Sequence, residues 1–307
     1  MNKGLRDIAQ AGLSHLQAFS RIKMIAVDLD GTMSGSAVLE IWENIIWLIK
    51  RLNRGRNKTS LIIATGRTLT GAKPAIRLLY HTRELPIILY NGSLVINNNT
   101  YEVLYQKTIP NLVLAEIAAL SDLFAVNVFA YYYVGKEKNL FDTVGRLEYV
   151  LGFGRDRSLV TEFNQMPIIW EFDASYLVNA PSAILIDIRN IIPGDKDRIL
   201  ERLAVMPEIS VTSSGLAYVE IRPAGSNKAE ALRFVADNLK LSATDFAAIG
   251  DNNNDVEMLS WVGTGIAVSN GTPSAISAAK YVCSHNVASG VIEVLRLIKQ
   301  SKRYHDE

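Results

Sequence analysis

Asp28-Leu29-Asp30-Gly31-Thr32 sets two carboxylates two residues apart, then a glycine and a hydroxyl. The pair follows the apolar run Met24-Ile25-Ala26-Val27, which reads as a buried parallel strand. Side chains alternate along a strand, so Asp28 and Asp30 share a face as far as strand geometry continues. Carboxylates that close repel each other, and a cation or a shared proton relieves the repulsion. Gly31 lets the chain turn and approach a ligand closely. Three further polar stations follow. Thr65 ends the apolar run 61–64, Lys228 opens a helical pattern, and Gly250-Asp251-Asn252-Asn253-Asn254-Asp255 ends the apolar run 246–249.

Together these stations supply a nucleophile, a second carboxyl, a hydroxyl, a cation and distal acids. Phosphoryl transfer needs that set, because it depends on in-line positioning and on neutralising charge on the equatorial oxygens. Asp28, first out of the strand, is the candidate nucleophile, and Asp30 the candidate acid and base. Thr65 and Lys228 are candidates for holding phosphoryl oxygens, Lys228 as a point charge. Asp251 is the candidate further metal ligand, and a hard oxygen-rich site suits Mg²⁺. Asp255 either reaches the metal through water or orients Lys228. Taken singly, Thr65 reads equally well as a helix N-cap, Lys228 as a solvated helix residue, and the asparagine run as a polar turn. Their order, each at the end of an element, is what argues for a site.

The elements that must position them alternate. Strands are expected at 24–27, 61–64 and 86–90, with helices at 38–53 and 68–81, which predicts parallel βαβ units. The pattern returns at 227 with a helix to 239, a strand at 246–250, a short helix at 256–262, a strand at 265–268, a helix at 273–280, a strand at 281–283 and a helix at 290–299. Open parallel sheets bind ligands at the carboxyl ends of their strands, where all the stations fall. Between the two runs lies an α+β block of domain size. Its strands are expected at 101–107, 124–134, 183–188, 209–212 and 216–222, and its helices at 110–122 and 193–205. The stretch around Gly152, Gly154, Arg155 and Arg157 reads as irregular. The expected fold is α/β: a Rossmann-like core of mainly parallel sheet at 24–96 and 223–307, with an inserted α+β domain at 97–222. Residues 1–23 form an N-terminal extension, read as a surface helix or a disordered tail.

Bulk properties narrow the function classes. The 307 residues carry a formal net charge of +1, without the basic excess that a nucleic-acid partner would require. Lys50, Arg51, Arg54, Arg56 and Lys58 read as a solvated helix end. No apolar run approaches the ~20 residues needed to span a bilayer, and no secretory signal is recognisable. The single cysteine, Cys283, forbids an internal disulfide and fits a reducing compartment. The expected partner is a small phosphorylated metabolite in the cytoplasm, with no nucleic acid and no membrane.

In this order the motifs resemble those of the haloacid dehalogenase (HAD) superfamily, in its Cof-like branch with a type IIB cap. Asp28–Thr32, Ala64-Thr65-Gly66-Arg67, Ser226-Asn227-Lys228 and Gly250–Asp255 followed by Met258-Leu259 correspond to the four motifs. Tyr90-Asn91-Gly92-Ser93 resembles the turn before the cap, and Gly271-Thr272-Pro273 and Ala279-Lys280-Tyr281-Val282 resemble the tail. The resemblance covers roughly 24–300. It implies a Mg²⁺-dependent phosphatase acting on small phosphate monoesters, often sugar phosphates, through an aspartyl-phosphate, with the cap setting specificity. It assigns Asp28 and Asp30 to catalysis and Asp28, Asp30 and Asp251 to the metal. Thr65, Gly66, Lys228 and Asn254 go to the phosphate, with Asp255 and Arg67 in support. Tyr131, Tyr132, Tyr133, Arg155 and Arg157 are cap candidates, although three tyrosines on one strand more commonly divide between core and surface. Departures from the pattern are Met33-Ser34 after the first motif, Val287-Ala288-Ser289 before Gly290, and the extension 1–23. Two other readings stay open: a disaccharide-phosphate phosphatase or phosphomutase on the same fold, and a catalytically silent ligand-binding protein.

Overall fold

The computed structural model describes residues 3–4, 13–33, 39–55, 57–79, 84–135, 147–155, 166, 168–170, 177–214 and 217–306. The chain divides into two compact units. The first comprises Met1–Gly66, Pro74–Gly92 and Asn227–Glu307, the second Arg67–Lys73 and Ser93–Ser226.

The first unit is a parallel sheet flanked by helices. Its strands are β1 (Lys3–Gly4), β2 (Met24–Val27), β3 (Ser60–Ile63), β4 (Pro86–Leu89), β13 (Phe246–Gly250), β14 (Thr264–Ala267) and β15 (Tyr281–Val282). Six run in the order β1-β15-β14-β13-β2-β3, all pairs parallel, and a parallel bridge from Ala64 to Ile88 brings β4 alongside β3. Every residue of β2, β3, β13 and β14 is buried, which is why these segments are nearly unbroken apolar runs rather than alternating ones. This is the α/β class expected from the sequence. The Leu39–Leu52 helix buries Ile45, Leu48, Ile49 and Leu52 and leaves Trp47 exposed. Its Lys50 and Arg51 lie in the last turn, where cations oppose the helix dipole.

The segment before β2, expected as a surface helix or a tail, contributes a helix and a short strand to the first unit. Leu13–Ser20 is a helix that buries Leu16 and Phe19 and packs on the Val287–Asp306 helix. Phe19 meets Tyr281 with ring centroids 5.2 Å apart, and β1 adds a strand beside β15. The terminal helix is also longer than expected, because Val291, Val294, Leu295, Ile298 and Ser301 keep burying one face. No helix among the described residues is long and apolar enough to cross a membrane.

In the second unit, β5 (Leu94–Asn97) and β6 (Val103–Gln106) pair antiparallel. The larger sheet contains β7 (Asn127–Tyr133), β8 (Glu148–Phe153), β9 (Ile168–Ile169), β10 (Ala183–Asp187), β11 (Ile209–Ser214) and β12 (Tyr218–Pro223), in the order β11-β12-β10-β7-β8-β9. All its pairs are antiparallel except β8 with β9. Val128, Ala130, Tyr132, Ile184, Ile186, Val219 and Ile221 form one face, packed with Leu114, Ile117, Ile199 and Leu203 of its helices.

Two sequence expectations fail here. The irregular stretch contains the six-residue strand β8, whose Gly152 leaves the room that Ile168 and Trp170 fill. The tyrosine run is buried on both faces instead of dividing between core and surface. Tyr132 stacks on Tyr149 at 4.8 Å, while Tyr133 on the opposite face donates its hydroxyl to Tyr101 O at 2.7 Å. Arg155 is exposed, 3.9 Å from Asp122, and Arg157 lies outside the described residues.

Candidate active site

The site is assembled at the carboxyl ends of β2, β3 and β13 and at the start of the Lys228–Leu239 helix, all within the first unit. Asp28 leaves β2 still hydrogen-bonded to the sheet, its N–H donating to Ile249 O at 3.0 Å, and is buried. Leu29 turns into the core, and Asp30 emerges exposed. Gly31 has φ +79°, and a side chain there would strike the Asp251 carboxylate. Only glycine allows the turn and the close approach together. Thr32 then donates its hydroxyl to Asp251 Oδ1 at 2.7 Å.

Lys228 sits at the first position of its helix, with Asn227 as the N-cap accepting from Glu230 N at 2.8 Å. The Lys228 side chain is fully buried. Its ammonium donates to Asp28 Oδ1 at 2.6 Å and to Asp255 Oδ1 at 2.7 Å. The other oxygen of Asp255 accepts from the backbone of Asp251 at 2.9 Å and of Asn252 at 3.1 Å. Asp255 thus fixes both the lysine and the loop that carries Asp251. Both expected roles have a counterpart in the geometry: Asp255 contacts Lys228 and also belongs to the acidic cluster.

Carboxylate oxygens of Asp28, Asp251 and Asp255 lie within 4.8 Å of one another, all three residues being buried. Three carboxylates face one ammonium, which leaves a net charge of −2 when all are ionised. Burial is the main force pushing the Asp28 carboxyl up to about 7; Lys228 opposes it, while Asp255 and Asp251 add to it. Burial also raises Asp251, against the hydrogen bond from Thr32. Burial works against the charge of Lys228 too, but Asp255 and Asp28 outweigh it and hold the ammonium firmly protonated. A buried, all-oxygen donor set with excess negative charge fits a hard divalent cation. Asp30 lies outside the cluster of three, although its charge acts on Asp251.

Thr65 is fully buried at the end of β3, its N–H donating to Ile88 O at 3.0 Å. At Gly66 a side chain would collide with the amide of Asn91. Arg67 begins the short first segment of the second unit and donates to Gly71 O at 3.1 Å. Asn254 lies in the turn Asn253–Asp255 and donates from Nδ2 to Asn91 Oδ1 at 2.8 Å. Asn91 was read from sequence only as a turn residue. The available signal was its place directly after a buried strand, at a carboxyl edge where the other stations fall. Cys283 is buried, and burial pushes its thiol up, away from the reactive thiolate.

A family model for haloacid dehalogenase-like hydrolases matches residues 25–295. The chain belongs to that family. Its motifs place it in the Cof-like branch of HAD phosphatases. Two full-length relatives from Bacillus subtilis are 5-amino-6-(5-phospho-D-ribitylamino)uracil phosphatases. YcsE is 25% identical over 275 residues, covering 90% of this chain and 95% of its own length, and YitU is 26% identical over 282 residues, covering 89% and 96%. Among solved structures, a haloacid dehalogenase-like hydrolase from Bacteroides thetaiotaomicron superposes with a TM-score of 0.73 at 23% identity, covering 90% of this chain and 99% of that one. At that identity the likeness carries the fold.

Proposed function

We propose that this HAD phosphatase hydrolyses a small phosphate monoester, a sugar phosphate or related metabolite, through a phosphoryl group carried on Asp28. The carrying observation is the Lys228 ammonium held 2.6 Å from Asp28 and 2.7 Å from Asp255. It steadies a buried carboxylate that has no other reason to be stripped of water at a sheet edge.

In the first half-reaction an Asp28 oxygen attacks phosphorus and the P–O bond to the alcohol breaks. Asp30, exposed and able to reach solvent, gives its proton to the departing alkoxide. In the second half-reaction Asp30 takes a proton from water, the water oxygen attacks phosphorus, and the bond to Asp28 breaks to release phosphate. Thr65, the Gly66 backbone, Asn254 and Lys228 bind and orient the phosphoryl oxygens, with Arg67 in support. Asp28 and Asp251, which the acidic cluster brings together, and Asp30, which lies outside it, would hold Mg²⁺, which when bound supplies charge neutralisation for the phosphoryl group. Selection among esters is assigned to the second unit, and the cytoplasm, where such metabolites are made, is the proposed setting.

The test is phosphate release from a panel of sugar, nucleotide and cofactor phosphates, with Mg²⁺ and with EDTA. Mg²⁺-dependent release that Asp28→Asn abolishes is the expected result. Wild-type rates in Asp28→Asn would overturn the nucleophile assignment.

A further inference from the structure

We infer that Asn91 is a positioning residue of this site. It holds the Asn254 amide through one Nδ2 hydrogen so that the other Nδ2 hydrogen is kept for the phosphoryl group. The inference rests on the phosphatase reading for the identity of that ligand.

Asn91 sits in a left-handed conformation, φ 53° and ψ 33°, in the turn Tyr90–Gly92, and is buried. Asparagine tolerates that conformation better than most residues, because its short polar side chain bonds locally. The turn is locked on two sides. The Asn91 N–H donates to Thr65 O at 3.1 Å, and Gly92, at φ +95°, lies where a side chain would strike Asn227 O. The Asn91 amide therefore rests against Gly66 on one side and meets Asn254 on the other. It joins the loop of Thr65 to the loop of Asp251 and Asp255.

The polarity of the pair matters. Asn254 uses one Nδ2 hydrogen on Asn91 Oδ1, and its own Oδ1 is buried with no partner among the described residues. An unpaired buried carbonyl carries a desolvation penalty, and the bond to Asn91 helps hold the amide in this orientation against it. The second Nδ2 hydrogen remains for the phosphoryl group. Without Asn91 the Asn254 amide is free to rotate, and that donor loses its aim.

Asn91→Gly tests this, because glycine keeps the positive φ at little cost and removes only the side chain. Turnover of p-nitrophenyl phosphate would be measured for wild type, Asn91→Gly, Asn254→Ala and the double variant, with melting temperatures. The expected result is a loss of about 10-fold for Asn91→Gly in the wild-type background and almost none in the Asn254→Ala background. Equal losses in both backgrounds would overturn the inference. A chain that turns over no ester fails the phosphatase reading. The pair is then read from crystal structures, in which Asn254 should leave its rotamer in Asn91→Gly; an unmoved Asn254 would overturn the assignment.

Discussion

Thr32 and Asp251 are 219 residues apart in the chain and joined by a 2.7 Å hydrogen bond. The bond ties the loop after β2 to the loop after β13. Burial, with the charges of Asp255 and Asp30, holds the Asp251 carboxyl above its ordinary range, and Thr32 pulls it back down. Thr32→Val keeps the shape and removes the donor, so Asp251 ionises at higher pH. The acid limb of the kcat/KM profile should move to higher pH, and half-saturating Mg²⁺ should rise by up to about 10-fold. A pH–rate profile and a Mg²⁺ titration check this. No movement in either would show that the bond leaves the charge on Asp251 untouched.

Asp28 gives the metal-free protein an unusual dependence on pH. Its carboxyl moves from 3.8 to about 7 on folding, chiefly through burial. An acid whose pKa is raised by folding binds its proton more readily when folded. Its stabilising contribution is therefore complete below 3.8 and is lost as pH rises through about 7. In EDTA, urea melts should show wild type losing stability between about pH 4 and about pH 7, and Asp28→Asn losing less. Added Mg²⁺ should flatten the wild-type slope, since it favours the ionised form. Identical slopes for the two proteins in EDTA would place the titrating group elsewhere.

Glu148 makes a third prediction, within the second unit. Its buried carboxylate accepts from Leu69 N at 2.7 Å, from Thr70 N at 2.8 Å and from the Thr70 hydroxyl at 2.9 Å. Those N–H groups belong to the first turn of a helix, where nothing inside the helix can satisfy them. Glu148→Ala should destabilise the protein by about 1–3 kcal/mol, because it leaves buried donors unpaired. Chemical denaturation measures it, and a change below about 0.5 kcal/mol would mean that water replaces the carboxylate fully.

How far the sequence could be read follows from what each segment buries. β2, β3, β13 and β14 are enclosed on both faces, so their apolar runs stood out without help from periodicity. Asp28, Thr65, Lys228 and Asp251 were legible because each ends such a run or opens a helix. β8 was not, since its Gly152 signals a break when the neighbours are unknown; Ile168 and Trp170, which fill the gap, are visible only in three dimensions. The packing of the helix Leu13–Ser20 was hidden for a similar reason. Its apolar face looks weak alone, and its partner is a helix at the far end of the chain. Asn91 was read as a turn because asparagine followed by glycine marks turns in any protein. Its contact with Asn254 spans 163 residues.

The Lys228–Asp28 pair spans 200 residues, and β2 takes β13 as its neighbour. During synthesis the loop of Asp28, the proposed nucleophile, leaves the ribosome long before the lysine or the distal acids exist. Until β13 docks, Asp28 is an ordinary hydrated aspartate with ordinary acidity. Pairings this distant in sequence form slowly, after the intervening chain has been ordered. The proposed catalytic set is therefore acquired late and together, and a nascent chain that stops short of Asp255 carries none of that assembled geometry. The enzyme cannot attack the phosphate esters around it until its own core is closed.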